Sequence, residues 1–118
     1  MSSDAAGAAR MYLEDMAESI ETIREYTKGM TGTQFSEDRK TVDSVCFNLA
    51  ILGEAANKIS PNFQKSHSEI QWREIVSTRN KLIHNYAVID DEILWDIVQT
   101  DLPSLLKALR SLPNSAQK

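Results

Sequence analysis

The stretch Val42-Asp43-Ser44-Val45-Cys46-Phe47-Asn48-Leu49-Ala50-Ile51-Leu52-Gly53-Glu54-Ala55-Ala56 decides how this chain folds. Its apolar residues recur at helical spacing rather than in strand-like alternation. Val42, Val45, Leu49, Leu52 and Ala56 form one stripe, and Phe47, Ala50 and Ile51 form another. A helix that is apolar on two sides is either central in its fold or shared with a second subunit. Ser36 is a good N-cap with Glu37 and Asp38 in the first turn. The helix is therefore predicted from Ser36 to about Ile59, stopping before Pro61.

The flanking segments have the same period. Leu13, Met16, Ala17, Ile20, Ile23 and Thr27 define a helix from Ala9 to Lys28, with Gly29 as its stop. Met30–Phe35 reads as a linker. Asn62–Ser68 is a polar connection with room for a short helical turn. A third helix is predicted from about Glu69 to His84 or Tyr86, and a fourth opens at Asp90 and Asp91. Its stripe is Ile93, Leu94, Ile97, Val98, Leu105, Leu106 and Leu109. Pro103 sits inside that stripe and should kink or divide the helix. Four helices with short links predict an all-α, up-and-down four-helix bundle. It spans residues 9–112, between a leader at 1–8 and a polar tail at 113–118.

The 118 residues suit one domain. No apolar run approaches the ~18 residues of a membrane span, and the first residues lack the pattern of a signal peptide. Cys46 is the only cysteine, which excludes an intramolecular disulfide and a cysteine-based zinc site and suits a reducing cytoplasm. No His/Asp/Glu group has metal-ligand spacing, so neither metal nor cofactor is expected. The net charge of −4 argues against RNA binding by bulk charge. Any nucleic-acid contact must be local, and an acidic total also suits a basic protein partner.

Local chemistry is concentrated in Arg79-Asn80-Lys81-Leu82-Ile83-His84-Asn85-Tyr86. On helix three, Trp72, Ile75, Val76, Leu82 and Ile83 make the apolar stripe, yet Arg79 lies near its middle and Tyr86 close to the same line. A guanidinium there conflicts with the hydrophobic pattern and must meet a carboxylate, a cleft or an anion. Glu54 is also a charge in apolar company and is a candidate partner for Arg79. Arg73, Ser77, Asn80 and His84 lie on a second line, so Asn80 is placed to orient the His84 imidazole. Arg79 and His84 are about 140° apart on an ideal helix. They can act together only at the edge between the lines, if the helix bends or ends near His84, or across a two-fold subunit interface. A permanent cation and a group that exchanges a proton near neutral pH are what metal-free phosphodiester cleavage needs. The plainer alternative is a paired interface arginine and a structural histidine.

With its neighbours, the stretch resembles the HepT family of HEPN-domain proteins. The likeness rests on Trp72-Arg73-Glu74-Ile75, on Arg79 and His84 with four residues between them and Tyr86 after one more intervening residue, on Leu52-Gly53-Glu54-Ala55-Ala56, and on Tyr12-Leu13-Glu14-Asp15-Met16 followed by Ile20. It runs from about Arg10 to Leu112. The resemblance implies a homodimer with a composite cleft. It also implies a metal-independent endoribonuclease, the toxin of a type VII toxin–antitoxin pair, acting on tRNA or mRNA. Arg79 and His84 would be catalytic, Asn80 orienting, and Glu54 and Arg73 supporting. The partner implied is an MntA-type nucleotidyltransferase that adds AMP to Tyr86 and blocks the nuclease. The rival expectation is a non-catalytic helical module that binds such a nucleotidyltransferase.

Overall fold

The computed structural model describes residues 2–85 and 89–112, with side chains from 7 to 84 and from 89 to 112. Every element among the described residues is helical. Helix α1 covers Ser2–Thr27, so it begins seven residues before the predicted start and includes most of the expected leader. It ends where expected: Gly29 takes a φ of 77°, the left-handed conformation glycine adopts freely. Thr27, buried on the core stripe, satisfies its hydroxyl by donating to the Ile23 carbonyl at 2.9 Å.

The predicted linker holds a helix of its own, α2, at Gly32–Glu37. Its start is a capping box. The Thr31 hydroxyl accepts from the Gln34 amide, and the Gln34 side chain accepts from the Thr31 amide. The main helix, α3, then runs over Arg39–Lys58 with Asp38, not Ser36, as its N-cap. The Ser36 hydroxyl donates back to the Thr33 carbonyl and so cannot cap α3. The Asp38 carboxylate accepts from both the hydroxyl and the amide of Thr41, which holds its carboxyl below the usual range.

Ser60 caps the short helix α4, Pro61–Ser66, with proline at its first position. Helix α5 covers Trp72–Asn85. It starts later than Glu69 because the Trp72 indole turns back to donate to the His67 carbonyl at 3.0 Å. His67 is partly covered by the Phe63 ring, 4.4 Å away between ring centres and tilted by 39°.

The last rod opens at the Asp90 cap as predicted. It comprises α6 (Asp91–Asp96), a π-helical turn at Ile97–Asp101, and α7 (Leu102–Arg110). Pro103 therefore neither ends the rod nor divides it. Proline has no N–H and crowds the carbonyl four residues back, and the widened turn just before it accommodates both defects.

Helix α3 is central. It packs against α1 on one side and α5 on another, while α7 packs on α1. The predicted stripe of α3 is buried along its length, against Leu13, Met16, Ile20 and Ile23 of α1. Leu94, Val98, Leu102, Leu106 and Leu109 close the core from the last rod. Ion pairs between Arg39 and Asp91 and between Arg110 and Glu21 join elements at the rim. Cys46 packs as a small apolar group, and burial pushes its thiol up to about 11. Two residues assigned to buried stripes point outward instead: Ile83 and Ile93 are each 56% exposed. The second face of α3 is also uncovered, with Phe47 65% and Ile51 38% exposed.

Candidate functional site

Arg79 owes its position to a glycine. Helices α3 and α5 approach so closely at Gly53 that a Cβ added there would lie 2.1 Å from the Arg79 Cβ. That is far inside any real contact. The arginine stem therefore lies flat on the bare backbone of Gly53, and the guanidinium emerges beside the next residue of α3. There Arg79 Nη2 donates to Glu54 Oε1 at 2.5 Å. The conflict seen in the sequence, a cation on an apolar stripe, is resolved across two helices. The guanidinium Nε is buried and has no partner among the described residues.

Glu54 holds a second cation. Its other oxygen, Oε2, lies 3.6 Å from Lys58 Nζ, one turn further along α3. Arg79, Glu54 and Lys58 open into a cavity of about 320 Å³ with Tyr12, Ile51 and Ile83 among its walls. The Arg79 side chain is 23% exposed, so a solute can reach it.

Asn80 does not hold His84. Its amide oxygen accepts from Arg79 Nη1 at 2.8 Å. A charged donor makes the stronger bond, so the guanidinium outcompetes a neutral imidazole for that oxygen. His84 is exposed, and no described residue hydrogen-bonds to it. Both residues lie within α5, which is helical as far as Asn85, one residue past His84. Within one chain the two groups face different sides. Arg73 is exposed and makes no ion pair among the described residues. Tyr86 lies outside the described residues.

A larger cavity, about 450 Å³, lies between α5 and the π turn with α7. It suits a phosphate poorly, because Glu69, Glu74 and Asp101 line it and no lysine or arginine does. Among the described residues no group of three His, Cys, Asp or Glu side chains could hold a metal ion. No helix there is long and apolar enough to cross a membrane. Reading the sequence missed Lys58 and the seating role of Gly53. A glycine inside an otherwise strong helix, beside a glutamate on an apolar face, was the available signal for the second.

Every described element is helical, and the arginine seated on a glycine is followed five residues later on the same helix by a histidine. Residues 16–112 match the model of the HepT-like ribonuclease family, and the chain belongs to that family. It is 46% identical to the probable ribonuclease HepT of Thermococcus cleftensis, over 80% of this chain and 86% of that one. A candidate RNase of Methanocaldococcus jannaschii is 33% identical, over 87% of this chain and 85% of its own. Another, from Caldanaerobacter subterraneus subsp. tengcongensis, is 31% identical over 87% and 92%. No solved structure matches the chain at a comparable level.

Proposed function

We propose that this protein is a metal-independent endoribonuclease that acts as the toxin of a toxin–antitoxin pair. The observation that carries this reading is Arg79, seated on Gly53 and facing an open cavity, in a chain of the HepT-like ribonuclease family. Its rods form an up-and-down four-helix bundle that works as a two-fold dimer. The uncovered apolar face of Phe47, Ile51 and Ile83 borders the same cavity and is the surface through which two copies pair. Pairing supplies what one chain lacks, since Arg79 of one copy then faces His84 of the other.

The RNA backbone crosses this composite cleft. His84 takes the proton of a 2′-hydroxyl, or delivers one to the leaving 5′-oxygen, and water carries the other proton. The 2′-oxygen bonds to phosphorus, the P–O5′ bond breaks, and a 2′,3′-cyclic phosphate and a 5′-hydroxyl remain. Arg79 holds the phosphate and stabilises the charge that builds on it. Asn80, bonded to Arg79, orients the guanidinium rather than the imidazole. Purified protein is expected to cut tRNA or mRNA in excess chelator. Intact RNA in that assay, with folded protein, would overturn the reading. It would favour a helical module that only binds a partner, to which the same exposed apolar face also lends itself.

The partner in this reading is a nucleotidyltransferase antitoxin that adds AMP to Tyr86. The adduct carries bulk and negative charge, both of which oppose an RNA backbone. Co-expression with that partner should raise the intact mass by whole AMP units. An unchanged mass in a fully neutralised sample would exclude this route.

A further inference from the structure

The Glu54 carboxylate presents two oxygens to two cations. Arg79 Nη2 takes Oε1, and Lys58 Nζ faces Oε2 at 3.6 Å. A phosphodiester also presents two charged oxygens on one centre. We propose that Lys58 is a second phosphate-contacting cation of this site, and that Glu54 holds the place of an RNA phosphate until one arrives. This rests on the ribonuclease reading and adds to it a residue and an order of events.

Three features carry the inference. Lys58 and Arg79 line the same cavity, although they come from different helices. All three side chains reach solvent, with 53% of Lys58, 42% of Glu54 and 23% of Arg79 exposed. An ion pair as open as Lys58–Glu54 is weak and exchanges readily, and the less exposed Arg79–Glu54 pair borders the same cavity. The third feature is charge. Asp15 stands on the α1 wall of the cavity, so Arg79 and Lys58 are formally balanced by Glu54 and Asp15. A phosphate has no net attraction to a balanced site. It enters by replacing Glu54 on the two cations, not by adding to them. Lys58 has a structural use as well, as a cation in the last turn of α3 paired four residues back. That use touches helix stability and leaves the salt dependence of RNA binding unchanged.

The experiment follows from that difference. Binding of a fluorescently labelled single-stranded RNA oligonucleotide is measured by anisotropy across a salt series, in the His84→Ala background so that no RNA is cut. Each phosphate contact to a single strand contributes about 0.7 to the slope of log affinity against log salt. Lys58→Gln is expected to reduce the slope by about that amount, while Lys65→Gln, on α4 away from the cavity, leaves it unchanged. Glu54→Gln is expected to tighten binding, because the competing anion is gone. Circular dichroism checks that each variant keeps its fold. An unchanged slope for Lys58→Gln overturns its role, and weaker binding by folded Glu54→Gln overturns the exchange. If the parent protein cuts RNA while Lys58→Gln behaves like its background, only this proposal falls. If the parent neither cuts nor binds RNA, the ribonuclease reading falls and takes this one with it.

Discussion

Gly53→Ala is expected to lower the thermal midpoint by roughly 10 °C and to abolish RNA cleavage in whatever folded protein remains. A Cβ at this position would sit 2.1 Å from the Arg79 Cβ, 2.8 Å from its Cγ and 3.2 Å from the Ile75 carbonyl oxygen. Both Cβ atoms are fixed to their backbones, so no change of rotamer relieves the first contact. Helices α3 and α5 must move apart. Alanine is the better helix former, by about 0.5–1 kcal/mol over glycine. Overpacking costs about 1–3 kcal/mol and more when the backbone has to shift, so the clash wins. The functional loss has the same cause, because a displaced α5 carries the Arg79 guanidinium away from Glu54 and the cavity. Adding Arg79→Gly to Gly53→Ala removes the offending Cβ and should restore much of the midpoint without restoring cleavage. A Gly53→Ala protein that melts with the parent would show that the two helices are not locked at this point.

His84→Ala is expected to reduce RNA cleavage by about 10²–10⁴-fold, the usual contribution of a positioned acid or base. The midpoint should hardly move, because His84 is exposed and no described residue hydrogen-bonds to it. Cleavage at the parental rate would remove His84 from the mechanism. The same variant tests the dimer. Arg79 and His84 face different sides of a single continuous α5, so the proposed site takes one residue from each copy. Inactive Arg79→Ala and inactive His84→Ala proteins, unfolded together and refolded as a mixture, should then regain activity. In a mixed dimer one of the two sites keeps both residues. A mixture as inactive as its components would place both groups in one chain.

Much of this was legible in the sequence because helical periodicity is a local property. The stripes of α1 and α3 could be read residue by residue, as could the stop at Gly29 and the start at Asp90. The errors arose where two local signals competed. Ser36 and Asp38 are both good caps, and the carboxylate, which accepts from two groups of Thr41, prevailed over a hydroxyl that turned back to its own short helix. The capping box of Thr31 and Gln34 was present in the linker but was short enough to pass as a turn. Pro103 signals a break on its own. Whether a π turn absorbs it depends on how Val98, Leu102 and Leu106 must face the core.

The sequence alone determined the class. Spacing, punctuation and the Arg79–Tyr86 motif suffice for an all-α chain of the HepT-like ribonuclease family, because each is a pattern within one segment. The tertiary structure decided the partnerships. Arg79 and Glu54 are 25 residues apart. Only the docking of α5 onto α3 shows that Gly53 seats the arginine and that Glu54 bridges it to Lys58. Only the structure shows that Asn80 bonds to Arg79 and that Ile83 joins Phe47 on an open face, whereas the divergence of Arg79 and His84 already followed from the helical repeat. Which side chains share a stripe follows from the helical repeat, but which stripes meet follows from how closely two backbones can approach.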